Sequence, residues 1–136
     1  MRYLHQRDTF RCSAVAVCNA MKWLGKRATY ADAVRLCKRW RVTRERLANN
    51  EDVERHLRIR GKILDEPGVR KIVAAGHAVI VSTLTHIFFC PGFVEYEGEP
   101  AGYLGINVVK GEPRSVLSWA DMQRLLNLGY VWTIKR

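Results

Sequence analysis

Gln6-Arg7-Asp8-Thr9-Phe10-Arg11-Cys12 runs directly into Ser13-Ala14-Val15-Ala16-Val17-Cys18-Asn19-Ala20-Met21-Lys22-Trp23-Leu24, and Gly25 closes the stretch. Residues 13–24 are apolar nearly all round at helical spacing, which predicts a helix with almost no face for water. A glycine just past the last periodic residue is a C-terminal stop. Such a helix belongs in the interior, and the rest of the chain must be built around it. Cys12 stands where this helix begins. Unpaired N–H groups and the positive end of the helix dipole there favour thiolate over thiol, and the thiolate is the nucleophile. The Gln6 amide, six positions earlier, is placed to donate to the oxyanion that forms when Cys12 attacks a carbonyl. What this stretch lacks is a histidine to pair with the thiolate.

Downstream, Thr29 caps a second helix through about Trp40, with Ala31, Val34, Leu36 and Cys37 as its apolar positions. Asn50 caps a short helix from Glu51 to about Arg60, stopped by Gly61, and Pro67 suits the first turn of another that ends at Ala75-Gly76. After Gly76 the texture changes to β-formers: Ala78–Val81, then Ile87–Phe89. Glu97-Gly98-Glu99-Pro100 reads as a turn and Tyr103 to Val109 as a further strand. Ser118-Trp119-Ala120-Asp121 has the form of a capping box, opening a helix to about Leu128 before Gly129, and Tyr130 to Ile134 is a last strand. Helices come first and strands mostly later. That segregation predicts an α+β fold, an antiparallel sheet packed on the buried first helix.

Composition narrows the class. The 136 residues suit one domain over the whole chain, 1–136, and 48% hydrophobic residues exclude a disordered chain. No apolar run approaches the ~20 residues of a membrane helix. Cys12, Cys18, Cys37 and Cys90 show no CxxC spacing and are too sparse for a disulfide scaffold. No signal-peptide pattern opens the chain, so the reading is a cytoplasmic protein with free thiols. The net charge of +10 raises nucleic acid first as a partner. Residues 38–62 carry nine Lys/Arg against four Asp/Glu, but the charges are interspersed, as on a solvated face. No helix-turn-helix, zinc finger or RNP-type strand accompanies them. The segment reads as a surface that could hold an acidic protein partner or substrate, with nucleic acid disfavoured but open.

Two further segments complete a resemblance. His86-Ile87-Phe88-Phe89-Cys90-Pro91-Gly92-Phe93 puts a histidine at a strand start with Gly-aromatic six and seven residues later, and Gly76-His77-Ala78-Val79-Ile80-Val81 supplies an earlier strand. With Gln-x-Asp-x-x-x-Cys, the apolar helix ending at glycine and Thr29-Tyr30 opening the second helix, the chain resembles the papain-like cysteine peptidases. Within these it is most similar to the C39-type, bacteriocin-processing branch, over nearly its whole length. The resemblance implies Cys12 as nucleophile, His86 as general base and acid, and Gln6 as oxyanion donor. Asn107, in Gly105-Ile106-Asn107-Val108-Val109-Lys110-Gly111, is the residue of the right type to orient the histidine. No Asp-Pro follows it, and serine follows Cys12 where the branch usually has glycine.

The resemblance further implies a peptide or protein substrate, cleavage after small residues such as a Gly-Gly pair, and no metal or organic cofactor. His77 is the rival base but lacks the Gly-aromatic offset, since Thr83-Leu84 occupies those positions. Cys18, Cys37 and Cys90 read as core filler, and His5 and His56 as solvent-facing. Two other readings stay open at this point. One is a catalytically inactive module on the same fold that binds a host protein or nucleic acid through its basic surface, as in a phage or mobile-element protein. The other keeps the cysteine chemistry for deamidation or acyl transfer.

Overall fold

The computed structural model describes residues 1–127 and 129–136. Its elements run α1 (Cys12–Trp23), α2 (Tyr30–Arg39), α3 (Asn50–Leu57), α4 (Glu66–Ala74), β1 (Ala78–Ser82), β2 (Ile87–Tyr96), β3 (Glu99–Val109), β4 (Glu112–Leu117), α5 (Trp119–Leu126) and β5 (Tyr130–Ile134). The strands form one sheet in the order β4-β3-β2-β1-β5, with every neighbouring pair antiparallel. This is the α+β arrangement expected, helices followed by an antiparallel sheet.

Every residue of α1 from Cys12 to Ala20 is buried, as is Trp23. That is what an all-round apolar helix requires. The helix packs with α2 on one face of the sheet against Ile80, Ile87, Phe89, Ile106, Trp132 and Ile134. The alternate residues Val79, Val81, Phe88, Cys90 and Tyr103 point to the other face, where Val69 and Val73 of α4 and Met122 and Leu126 of α5 cover them. Burial on both faces explains why β1 reads as an unbroken apolar run rather than an alternating one. This second helical layer was not anticipated.

Helix boundaries follow capping chemistry, with corrections. Thr29 and Asp32 close a reciprocal capping box on α2, but Ala33 rather than Ala31 is buried beside Leu36 and Cys37. The cap of α3 is Asn49, not Asn50, because only Asn49 has an acid three residues on, Asp52, to return its hydrogen bond. The helix ends at Arg58 in the left-handed conformation, before Gly61. Gly61 is required for another reason: a Cβ there would stand 2.0 Å from the Tyr130 ring. Ser118 and Asp121 box the start of α5 as expected; its predicted end at Leu128 lies outside the described residues. Only Glu97 and Gly98 form the β2–β3 turn, both at positive φ (52° and 82°), so Glu99 and Pro100 already pair as strand. The edge strand β4 escaped the sequence reading, since Glu112-Pro113-Arg114-Ser115 lacks β-formers and it is held by pairing with β3.

Candidate active site

Cys12 is the first residue of α1 and only 4% exposed. Arg11, at the N-cap, contributes no side-chain cap, which leaves the first-turn N–H groups facing the region of the thiol. Burial pushes the Cys12 thiol up, but hydrogen bonding to His86 and to the Ile87 backbone, the His86 charge and Ser13 together outweigh it and hold its pKa below the ordinary thiol value. The other three thiols lack such partners in sufficient strength. Burial raises Cys18 and Cys37 to about 11 and Cys90 to about 12.

His86 sits at the end of the β1–β2 connection, which Thr83 clamps shut. The Thr83 N–H and hydroxyl both donate to the His86 carbonyl, at 2.7 and 3.0 Å, and the His86 N–H donates back to Thr83 Oγ1 at 3.1 Å. The imidazole Nε2 lies 2.6 Å from the Asn107 carbonyl oxygen. A carbonyl only accepts, so Nε2 carries the proton and, in the neutral ring, Nδ1 keeps its lone pair. Burial lowers the His86 pKa, yet the bonds to Cys12 and to the Asn107 backbone overcome this and raise it. Cys12 and His86 therefore shift in opposite directions because of each other.

Asn107 meets His86 through its backbone, where the resemblance pointed to a side-chain amide. It is buried at φ +59°, within a stretch of β3 whose register against β4 slips between Ile106 and Val109. Bulges re-aim backbone groups in this way, and asparagine tolerates the left-handed region better than most residues. The side chain is spent on the N-terminal segment: Oδ1 accepts the Gln6 N–H at 3.0 Å and Nδ2 donates to the Leu4 carbonyl at 2.8 Å. One residue thus ties the histidine and the N-terminal segment at Gln6 to the same point of the sheet.

Gln6 donates through Nε2 to the Asp8 carbonyl, which uses one of its two amide protons. Asp8 in turn accepts from the Phe10 and Arg11 N–H groups at 3.1 and 3.0 Å and pairs with the Arg11 guanidinium, which shapes the turn into α1. Sequence reasoning missed Asn19. It is fully buried on α1 and brackets Leu4, accepting its N–H at 2.7 Å and donating to its carbonyl at 3.2 Å. A single amide in an otherwise apolar helix was the available signal, because a buried amide must find partners.

His77 precedes the far end of β1, since Ala78 pairs with Ile134 while Ser82 pairs with Ile87. The length of β1, roughly 13 Å at about 3.3 Å per residue, separates it from the His86 end. His5 and His56 are exposed, as expected. Two cavities meet at Thr85 and His86. One, of about 350 Å³, is lined by Cys12, Leu47, Asn50, Leu84 and Tyr130. The other, of about 640 Å³, is lined by Gln6, Thr9, Asn107 and Val109 and does not include Cys12. The thiol–imidazole pair therefore lies at the junction of the two cavities. Tyr130 is fixed at the wall by Glu54, which also accepts from the Trp132 indole and the Gly61 N–H. Among the described residues no cluster of three or more His, Cys, Asp or Glu side chains has metal-binding spacing.

The fold has counterparts among solved structures. The fold is that of C39-type peptidase domains. One similar structure is a double glycine motif protease from an AMS/PCAT transporter in complex with its leader peptide, at TM-score 0.69 and 13% identity, covering 98% of this chain and 91% of that one. Another is the peptidase domain of Streptococcus ComA, a bifunctional ABC transporter of a quorum-sensing pathway, at TM-score 0.69 and 10% identity, covering 98% and 97%. No protein-family profile and no curated protein sequence matches the chain. Among the described residues no helix is long and apolar enough to cross a membrane.

Proposed function

We propose that the protein is a cysteine peptidase whose nucleophile is Cys12. The observation that carries this reading is that Cys12 and His86 line one cavity, with Nε2 engaged by the Asn107 carbonyl so that Nδ1 is the nitrogen left for the thiol. The Cys12 thiolate adds to the carbonyl carbon of a peptide bond. The oxyanion is held by the Cys12 backbone N–H, which has no intrahelical acceptor at the first helical position, and by the Gln6 amide proton not committed to Asp8. The protonated His86 passes its Nδ1 proton to the leaving amine as the C–N bond breaks, giving a thioester. Neutral His86 then takes a proton from water, the hydroxyl adds to the thioester, and Cys12 leaves as thiolate with release of the carboxylic acid.

Asn107 is a positioning residue in this scheme, orienting the imidazole by its carbonyl and the N-terminal segment at Gln6 by its amide. Cleavage after small residues is part of the proposal. A thiol only 4% exposed can be reached by a carbonyl flanked by little side-chain bulk. The double glycine motif of one structural neighbour and its bound leader peptide support the same substrate class.

The test is iodoacetamide labelling near neutral pH with the adduct mapped by mass spectrometry, alongside cleavage of a peptide library. Selective, fast alkylation of Cys12 and cuts after small residues are expected. Alkylation of Cys12 no faster than that of Cys90 would overturn the reading.

A further inference from the structure

The charges of residues 38–62 are interspersed along the chain but not evenly mixed in space. Glu54 is withdrawn, held by Gly61, Tyr130 and Trp132, while Asp52 lines the same hollow as the arginines but is buried and commits its carboxylate to the Asn49 N–H as part of the α3 cap. Arg39, Arg41, Arg55 and Arg58 meanwhile line one concavity of about 580 Å³, together with Arg46. Among the described residues no ion pair involves any of the first four. Arg46 is different, because its Nη1 donates to the Trp40 and Arg41 carbonyls at 2.6 and 3.0 Å and so closes the end of α2 itself. The remaining four are not needed for that task.

Arg41 and Arg58 stand at φ 57° and 58°, where glycine would be less strained. Two helices thus each end on a left-handed arginine beside the same hollow, a common form of helix stop. His56 also lines the basin, and partial desolvation, then the charges of Arg39 and Lys26, lower its pKa. The basin also has a position relative to the cleft. Leu47, Ala48, Asn49 and Asn50 line the cavity that holds Cys12 and His86, whereas Arg46 and Asp52 line the basin. Segment 46–52 is their common wall.

We propose that this basin is a second anchoring site for the substrate peptide, binding a segment rich in Asp or Glu that lies to one side of the bond cleaved. The proposal rests on the peptidase reading for the identity of the peptide, and on the arginines for its charge. Planar guanidinium forks match carboxylates in pairs. Nucleic acid fits less well: Trp40 is 7% exposed with the His56 ring edge-on to it at 6.0 Å, so no open aromatic face awaits a base.

The experiment titrates the full chain with fluorescein-labelled hexaglutamate by fluorescence anisotropy, at about 50 mM salt to limit screening. Saturable binding is expected, weakened at least tenfold in Arg39→Gln/Arg55→Gln/Arg58→Gly and unchanged in Arg124→Gln on the opposite helical layer. Glycine at 58 keeps the left-handed turn. Should the triple variant unfold, Arg39→Gln and Arg55→Gln separately, each expected to weaken binding about threefold, carry the test. Unaltered binding in these variants overturns the site, as does an oligothymidylate with six phosphates that binds more tightly than hexaglutamate through the same arginines. A cleaved peptide library should show Asp and Glu enriched on one side of the cut, and the enrichment should vanish in the triple variant. Cuts without acidic preference overturn the link to substrate. If instead Cys12 shows no selective alkylation, the peptidase reading fails, and the hexaglutamate titration still decides the basin.

Discussion

Two buried polar clusters lie on opposite sides of the sheet, and they are built on opposite principles. On the α4 side, Glu66 is 4% exposed and fully engaged. Its carboxylate takes the Tyr103 hydroxyl at 2.7 Å and both the Nε and an Nη of Arg70, while its backbone N–H donates to Gln123. Arg70 then lies over the Trp119 ring at 4.2 Å. The carboxylate has no oxygen without a partner. On the α1 side, the Asn107 carbonyl satisfies only one nitrogen of the His86 ring, Cys12 and His86 line the same cavity, and Gln6 retains an amide proton. A closed network rigidifies, whereas an open one beside a cavity can exchange a proton. The contrast separates structural from chemical polarity without appeal to residue type, since both clusters are buried and both shift pKa values.

The sharpest way to break that contrast is His86→Ala. Loss of the imidazole should slow Cys12 alkylation by iodoacetamide near pH 7 about a hundredfold, within the range of lost general-base assistance, with far-UV circular dichroism unchanged. An unaltered rate would mean the open cluster is not open chemistry. Next in size, Glu66→Ala should cost about 2 kcal/mol in urea unfolding, because it strands the Tyr103 hydroxyl, and should leave Cys12 alkylation untouched. Arg70, by hydrogen bonding, holds the Glu66 carboxyl below its ordinary value against burial, with Tyr103 adding to the effect. Its stabilisation is therefore complete above the ordinary pKa of 4.5 and lost as pH falls through the lower folded value. Wild type should thus lose stability in acid more steeply than Glu66→Gln.

Asn107→Gly is a finer probe. Glycine keeps the left-handed backbone and the carbonyl to His86 but releases Leu4 and Gln6, so stability should fall by about 1–2 kcal/mol for two hydrogen bonds. Peptide cleavage should fall roughly tenfold for loss of an ordered oxyanion donor, while alkylation, which forms no oxyanion, stays near wild type. The pH profile of alkylation sharpens the comparison further. Burial raises the Cys12 pKa, but His86, Ile87 and Ser13 lower it by more, so the midpoint should lie below the ordinary 9.0 and move up in His86→Ala. Smallest of all, Cys90→Ala should leave the alkylation rate of Cys12 unaltered, because Cys90 is wholly buried with its thiol pushed to about 12.

Much of this molecule was legible in its residues, for reasons that differ from place to place. The buried helix was readable from its all-round apolar surface and the capping boxes at Thr29 and Ser118 from fixed spacings. Cys12 was readable as a thiol at a helix start, and its pairing with His86 was implied by the resemblance to the papain-like cysteine peptidases. Asn107 was named, but its part was misread, because sequence shows which side chain a residue owns and not whether its carbonyl is turned inward by a bulge. Asn19 was overlooked because its partner, Leu4, is a backbone unit fifteen positions away. The strand β4 carries little propensity of its own and exists through its neighbour.

By itself, the sequence determined what depends on local periodicity and short spacing: an interior helix, the α+β order, the capping boxes at Thr29 and Ser118, and a thiol at a helix terminus. Tertiary structure alone decided what depends on distant groups meeting. It set His86 rather than His77 beside Cys12 by strand direction, made the Asn107 backbone the histidine's partner, and gathered arginines of the basic segment into one basin, with Asp52 beside them and Glu54 held elsewhere. The physical reason is common to all three. Hydrogen bonds and charges act over a few ångströms of space, and a chain brings residues a hundred positions apart within that reach only by folding.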